Sequence, residues 1–243
     1  MNKNILEVKH VSKRFGEKEV HKDVTFSLAA GETLGLLGNS GTGKSVLLRS
    51  IIGLEQVDGG EIYFQGQRID QLAEEKLFKI RTKISYSFQY NALFDSDNVF
   101  ENIAYPMFEH TTLNEDEIRK KVVSVLKEVN LSGSEELMPS DLSGGMQKRA
   151  GLARTIVLDP DIILYDEPTA GLDPVNVENV CDLINKFKAK GMSSILCTHD
   201  IPAARKVCDR VIILDGGKVA FTGTINDLDN SQDPVVLKFL QNC

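Results

Sequence analysis

The sequence predicts an α/β fold in three parts: a core of parallel strands around a phosphate-binding loop, an N-terminal antiparallel β region, and an inserted helical region. Three observations predict it. The run GNSGTGKS at residues 38–45 stands between an apolar segment, residues 33–37, and a helical apolar pattern of Val46, Leu47, Leu48, Ile51 and Ile52. That is the strand–loop–helix order such a loop requires. Residues 5–37 alternate apolar and polar positions, whereas residues 90–157 lose strand patterning and take up helical periodicity.

In chain order, Leu6, Val8 and His10, then Val20, Val24, Phe26 and Leu28, mark antiparallel strands with turns near Gly16 and Gly31. Phe15, just upstream of the loop, either stacks on a nucleobase or joins the core. Gly38, Gly41 and Gly43 allow the curved backbone that turns successive N–H groups inward, and the helix that follows adds its positive end. Lys44 supplies an ammonium for β- and γ-phosphates, and Ser45 a hydroxyl for a Mg²⁺ bridging the same oxygens. Gly53 and the cluster Asp58, Gly59, Gly60 punctuate a short strand at 61–64. Residues 65–67 make a turn, 72–82 a charged helix or loop, and 83–88 a strand ending at Gln89. A glutamine there reaches a site over the carboxyl edge of a sheet, or lies on the surface.

Within the insertion, helical patterns cover 99–107, 115–129 and 145–157, and Ile118, Val122, Val125, Leu126 and Val129 make one apolar face. Ser143, Gly144 and Gly145 open the third helix after Pro139. They form either a second anion-binding helix N-terminus or a serine cap with glycines for close packing. Residues 161–167 read as a buried parallel strand ending in Asp166 and Glu167. Burying two adjacent acids is costly without a cation, so Asp166 suits holding a metal and Glu167 suits polarising an attacking water. A turn-rich link, 168–174, leads to a helix at 175–189 and a strand at 193–197. His199 follows, either donating to a terminal phosphate oxygen or serving structure only. The tail reads as a hairpin, 211–214 with 219–222, followed by short helices.

The 243 residues fit one large α/β domain or two small ones, and 42% hydrophobic with 26% charged residues is ordinary globular composition. A formal charge of −7 disfavours a general nucleic-acid grip through a basic surface and leaves a local anion site unaffected. No signal region precedes the first strand, and no apolar run approaches the ~18–20 residues that cross a bilayer, so the chain is expected to be soluble. Cys181, Cys197, Cys208 and Cys243 lack CxxC spacing, which fits a reducing, cytosolic compartment.

The ordered set GNSGTGKS, Gln89, LSGGM, ILYDEP, AGLD and THD resembles the ATP-binding cassette (ABC) ATPases along essentially the whole chain. The resemblance implies a P-loop NTPase core with an antiparallel β subdomain (1–89 and 158–243) and an α-helical subdomain (90–157), together one domain over 1–243. It implies that Phe15 stacks on the adenine of ATP. Gly38, Asn39, Ser40, Gly41, Thr42, Gly43, Lys44 and Ser45, continued by Val46, cradle the phosphates. Ser45, Gln89 and Asp166 surround Mg²⁺, Glu167 is the general base, and His199 meets the γ-phosphate. Ser143, Gly144, Gly145 and Asp173 complete the site of a second copy, because in this family two cassettes sandwich two ATP molecules head to tail.

LFDSDNVFENIAYPM at 93–107, with LSGGMQKRAGLARTI and YDEPTAGLDP, is most similar to the ATPases of Mla-type phospholipid transporters. The implied partners are an integral membrane permease, an MCE-domain lipid-binding protein and a small accessory subunit, at the cytoplasmic face of a bacterial inner membrane. Tyr90, Phe94, Phe100 and Tyr105 supply aromatic anchors for a partner helix, or belong to the core. Met146 stands in the usual glutamine position, as in Mla-like relatives, and Phe15 in that of the commoner tyrosine. The sequence ends at Cys243, short of the C-terminal arm with which some such ATPases hold their dimer. A small-solute importer ATPase and a force-transmitting cassette of the cell-division type are the alternatives.

Overall fold

The computed structural model describes residues 3–89 and 92–241, so Tyr90 and Cys243 lie outside the described residues. In chain order the strands are β1 (Asn4–Phe15), β2 (Lys18–Ala29), β3 (Thr33–Leu37), β4 (Gly59–Phe64), β5 (Gln67–Arg68), β6 (Ile84–Ser87), β7 (Ile162–Asp166), β8 (Ser193–Cys197), β9 (Arg210–Asp215) and β10 (Lys218–Thr224). The helices are α1 (Lys44–Ile51), α2 (Glu74–Arg81), α3 (Val99–His110), α4 (Glu115–Glu128), α5 (Gly144–Ile156), α6 (Pro174–Ala189), α7 (Ile201–Val207), α8 (Ile225–Asp229) and α9 (Pro234–Gln241). The strands form one sheet in the order β5-β4-β1-β2-β10-β9-β3-β8-β7-β6.

The two wings of that sheet follow from their connections. β1, β2, β4 and β5 pair antiparallel, with the β1–β2 hairpin turning at Gly16, whose φ of +58° suits a residue without a Cβ. The strands β9-β3-β8-β7-β6 run parallel, β10 pairing antiparallel with β9. Every strand of the parallel wing therefore ends on the same edge, and the residues after β3, β6, β7 and β8 gather there.

Alternation sorts the parallel strands between two cores. Leu34 and Leu36 of β3, Ile162 and Leu164 of β7, and Ile195 and Cys197 of β8 face the cluster that includes Leu47 and Leu48 of α1. Leu37, Ile163, Tyr165 and Leu196 face the opposite cluster, which continues into the insertion through Ile103, Val122, Leu126 and Ala153. Asp166 thus shares a strand face with Leu164 and points toward the side that α1 covers.

Residues 92–157 contain helices and no strand. Asn98 and Asn114 open α3 and α4 as capping boxes, each accepting from the backbone N–H three residues on while Glu101 or Glu117 reaches back. α3 extends beyond the expected 107 to His110, running through Pro106. The reading of β1 needs a correction. His10 does not continue the buried set of Leu6 and Val8: it sits at φ +52° in a register shift, is exposed, and passes the buried position to Val11. In β2, His21 rather than Val20 is fully buried. Cys181, Cys197 and Cys208 are free and buried. Among the described residues no helix is long and apolar enough to cross a membrane.

Candidate functional site

The loop after β3 has the backbone its glycines imply. Gly38, Gly41 and Gly43 have φ of +150°, +79° and +96°. A Cβ on Gly43 would lie 2.5 Å from Val20 Cγ1 and 2.7 Å from His21 Nε2, so close approach as well as conformation excludes a side chain. His21 reaches the loop from β2, its Nε2 lying 3.1 Å from the Gly43 carbonyl oxygen, while Nδ1 is buried without a partner. Burial lowers the pKa of this imidazole, so the neutral Nε2–H form donates to Gly43. Lys44 folds back over the loop and donates to the carbonyls of Gly38 at 2.7 Å and Asn39 at 3.2 Å. Thr42 closes the turn through its Oγ1, which donates to Asn39 O at 2.9 Å.

Across the carboxyl edge, Ser45 Oγ donates to Asp166 Oδ1 at 2.8 Å. The other oxygen, Oδ2, accepts from the Tyr86 hydroxyl at 2.6 Å. Burial and this hydrogen bond to a carboxylate push the Tyr86 pKa far up, so the phenol stays a donor. Glu167 has a φ of +49°, a left-handed conformation that costs a non-glycine residue about 1–3 kcal/mol unless its surroundings hold it. Its N–H donates to Cys197 O at 2.9 Å, and its carboxylate accepts from Thr198 Oγ1 at 3.3 Å and meets His199 Nδ1 at 3.0 Å. The Nδ1–H form of His199 therefore steadies the carboxylate while its ring remains mostly exposed.

A cleft of about 790 Å³ beside them is lined by Phe15, Asn39, Ser40, Gly41, Gly43, Lys44, Ser45, Val46, Gln89, Glu167 and His199, but not by Gly38, Thr42 or Asp166. Lys18 and Val20 of β2 and Phe239 of α9 complete it. Phe15 is 45% exposed, with Lys13 Nζ 4.8 Å from its ring centroid, which leaves a free aromatic face at the mouth rather than a core residue. The Gln89 carbonyl accepts from Lys148 Nζ, a buried lysine of α5. Burial lowers the Lys148 pKa, opposed by the negative charges of Asp166 and Glu167.

Ser143, Gly144, Gly145 and Asp173 line none of this cleft. Ser143 caps α5, accepting from Met146 N at 3.3 Å, and it and Gly144 are exposed. A Cβ on Gly144 would meet nothing within 4 Å. Gly145 is buried against α6, where a Cβ would stand 2.2 Å from Asn176 Oδ1. Asp173 caps α6: Oδ1 accepts from the N–H groups of Val175 and Asn176 at 3.0 Å each, and Oδ2 from Asn176 Nδ2 at 2.6 Å. The Asn176 side chain, more than any other contact, holds the Asp173 pKa below the usual carboxylate value.

The residues present fit a hard cation. Ser45, Asp166 and Gln89 offer oxygen donors only, as Mg²⁺ prefers. Among the described residues no cluster of three His, Cys, Asp or Glu could hold a metal, so a cation here would share its ligands with phosphate and water.

A family profile described as ABC transporter matches residues 21–170. The chain belongs to the ABC transporter family. It is 44% identical over 236 residues to the "Probable ribonucleotide transport ATP-binding protein mkl" of Mycobacterium leprae, a match covering 97% of this chain and 68% of that one. It is 39% identical over 242 residues to the "Intermembrane phospholipid transport system ATP-binding protein MlaF" of Haemophilus influenzae, covering 99% and 92% respectively. The solved ATP-binding cassette MJ0796, a dimer in a post-hydrolysis state bound to ADP and Pi, matches with a TM-score of 0.83 at 32% identity, over 90% of this chain and 98% of that one. The fold is that of a P-loop ABC ATPase cassette, and the chain is an ATP-binding subunit of an ABC transporter, a family whose membership implies ATP hydrolysis.

On the flank of the cassette, a groove of about 460 Å³ runs between the end of β6 and the helical insertion, with Leu54, Tyr86, Phe88, Phe94, Tyr105 and Pro106 among its walls. Phe94 and Tyr105 meet edge-on at 5.2 Å, and both are exposed. Phe100 instead packs on the helical core under Arg119, 4.9 Å away. Sequence reasoning missed His21, Tyr86, Lys148, Asn176 and Thr198. None carried a sequence signal: alternation back from Leu28, Phe26 and Val24 selects Val20, and the burial of His21 breaks it.

Proposed function

We propose that this chain is the ATP-hydrolysing subunit of a membrane transporter that moves phospholipid, working as a head-to-tail dimer of cassettes. The observation that carries the ATPase part is the convergence of Lys44, the Ser45–Asp166 pair and the Glu167–His199 pair on one cleft. In this reading Gly38 to Ser45 and Val46 hold the phosphates and Phe15 stacks on adenine. Ser45, Gln89 and Asp166 hold Mg²⁺, which when bound supplies charge stabilisation at the phosphate oxygens. Glu167, oriented by Thr198, takes a proton from the attacking water, and His199, its one N–H redirected from Glu167, donates to the terminal phosphate. Ser143, Gly144, Gly145 and Asp173 act on the nucleotide of a second copy. The exposure of Ser143 and Gly144 at a helix N-terminus supports that role. The division of the chain into a core (1–89 and 158–243) and a helical subdomain (90–157) belongs to the same reading.

Closure of the dimer on ATP and its release after hydrolysis deliver work to separate membrane subunits. The apolar groove, with Phe88, Phe94 and Tyr105 exposed, suits a cytoplasmic helix of a permease. The lipid assignment is supported by the 93–107 stretch and by the name of the Haemophilus influenzae relative, matched over nearly its full length. An MCE-domain protein and a small accessory subunit are the further partners, and the place is the cytoplasmic face of an inner membrane. The name of the mycobacterial relative favours a second reading, ribonucleotide transport. Affinity isolation of the tagged chain from detergent-solubilised membranes, with partners identified by mass spectrometry and ATP turnover assayed on the same sample, tests this. An MCE-domain protein with a multi-span permease is expected. A permease with a solute-binding protein would overturn the lipid assignment and leave the ATPase chemistry standing.

A further inference from the structure

β6 pairs in parallel with β7 so that Tyr86 lies beside Leu164. Alternation places Ile84 and Tyr86 of one strand, and Ile162, Leu164 and Asp166 of the other, on the sheet face covered by α1. The Tyr86 hydroxyl consequently reaches Asp166 from the adjacent strand while Ser45 reaches it from the N-terminus of α1. Asp166 is only 6% exposed, and its two oxygens are satisfied one each by these neutral O–H donors, at 2.8 Å on Oδ1 and 2.6 Å on Oδ2. A carboxylate held by one donor can rotate about its Cβ–Cγ bond. One held on both oxygens presents a fixed edge.

We infer that Tyr86 is a positioning residue for the metal site: its hydroxyl locks the Asp166 carboxylate so that Oδ1, on the Ser45 side, is the oxygen offered to Mg²⁺. The inference rests on the reading of Asp166 as a metal-holding residue. Tyr86 has a second neighbour that gives it reach. Its ring meets that of Phe88 at 4.6 Å, and both rings wall the apolar groove. One side chain belongs at its ring to the groove and at its hydroxyl to the carboxylate, so whatever fills the groove stands one residue away from Asp166.

The test is a Mg²⁺ titration of N-methylanthraniloyl-ADP bound to the purified chain, read by fluorescence after chelation with EDTA. In Tyr86→Phe the Mg²⁺ half-point should rise by about tenfold, the usual effect of removing a partner that orients a metal ligand. Nucleotide affinity in EDTA should not change. A role in packing alone would lower the metal-free affinity as well. Tyr86→Met, which also lacks the hydroxyl, should shift the half-point in the same way. A half-point within about twofold of wild type in either variant overturns the inference, as does a parallel loss of metal-free affinity. If the wild-type chain itself does not respond to Mg²⁺, the assignment of Asp166 to the metal fails and takes this inference with it. A responsive wild type with variants that keep its half-point sinks the inference alone.

Discussion

Lys44 is the residue whose contacts most directly forecast a loss of binding. It spends its ammonium on the Gly38 and Asn39 carbonyls, which keeps the charge over the loop where phosphates would sit. Lys44→Ala should weaken nucleotide binding by about 1.5–3 kcal/mol, the worth of a charged hydrogen bond. Titration calorimetry with ADP would measure it, and unchanged affinity would remove Lys44 from its assigned role. His21, directly behind the loop, makes a prediction in pH. Its folded pKa lies below the ordinary 6.5 because burial opposes the charged form, so below about pH 6.5 the unfolded chain binds a proton that the folded chain does not. Stability from this group is complete above that pH and is lost as pH falls toward the folded value, with a slope of at most about 1.4 kcal/mol per pH unit. His21→Leu should flatten that segment of the pH–stability curve in urea denaturation. An identical curve in the variant would show that His21 titrates alike in both states.

At the scale of elements, α5 and α6 are joined by one close approach. Asn176, fixed by the Asp173 cap, fills the space above Gly145 and also accepts from Arg149 Nη1 at 3.3 Å. The two helix N-termini that carry Ser143 and Asp173 are thereby registered against each other. A methyl group on Gly145 would collide with an amide that cannot swing away without giving up its bond to Asp173. Gly145→Ala should therefore cost about 1–3 kcal/mol of stability, as overpacking does, and Asn176→Ala in the same chain should recover most of it. Equal stability of Gly145→Ala with and without Asn176 would mean that the contact does not constrain the helices.

For the molecule as a whole, the arrangement of sites predicts an association that depends on nucleotide. The cleft gathers Lys44, Ser45, Glu167 and His199, while Ser143, Gly144 and Asp173 do not line it, so a single chain leaves the second set unused. Glu167→Gln should cut turnover by about a hundredfold or more while retaining ATP binding. It should also run as a dimer in size-exclusion chromatography with ATP and as a monomer with ADP. Wild-type turnover in this variant would free Glu167 from the general-base assignment, and a monomer under both conditions would contradict the head-to-tail sandwich.

The sequence by itself determined most of the order of strands and helices, β5 and α7 excepted, together with the phosphate loop, the paired acids at the end of β7 and the histidine after β8. Each is written in a contiguous run whose local chemistry has few other uses. The β1 bulge shows in the sequence only as a change of phase from Leu6 and Val8 to Val11, which reading His10 into the alternation concealed. Tertiary structure alone decided which side chains meet. Tyr86 and Asp166 are 80 residues apart, and they touch because β6 pairs with β7 in parallel at a register that turns both toward α1. Likewise Gln89 meets Lys148, His21 meets Gly43, and Asn176 meets Gly145, each pair brought together by elements distant in the chain. Motifs are legible because they are local. Their supports are not, because strand order and helix packing are fixed by burial summed over the whole molecule.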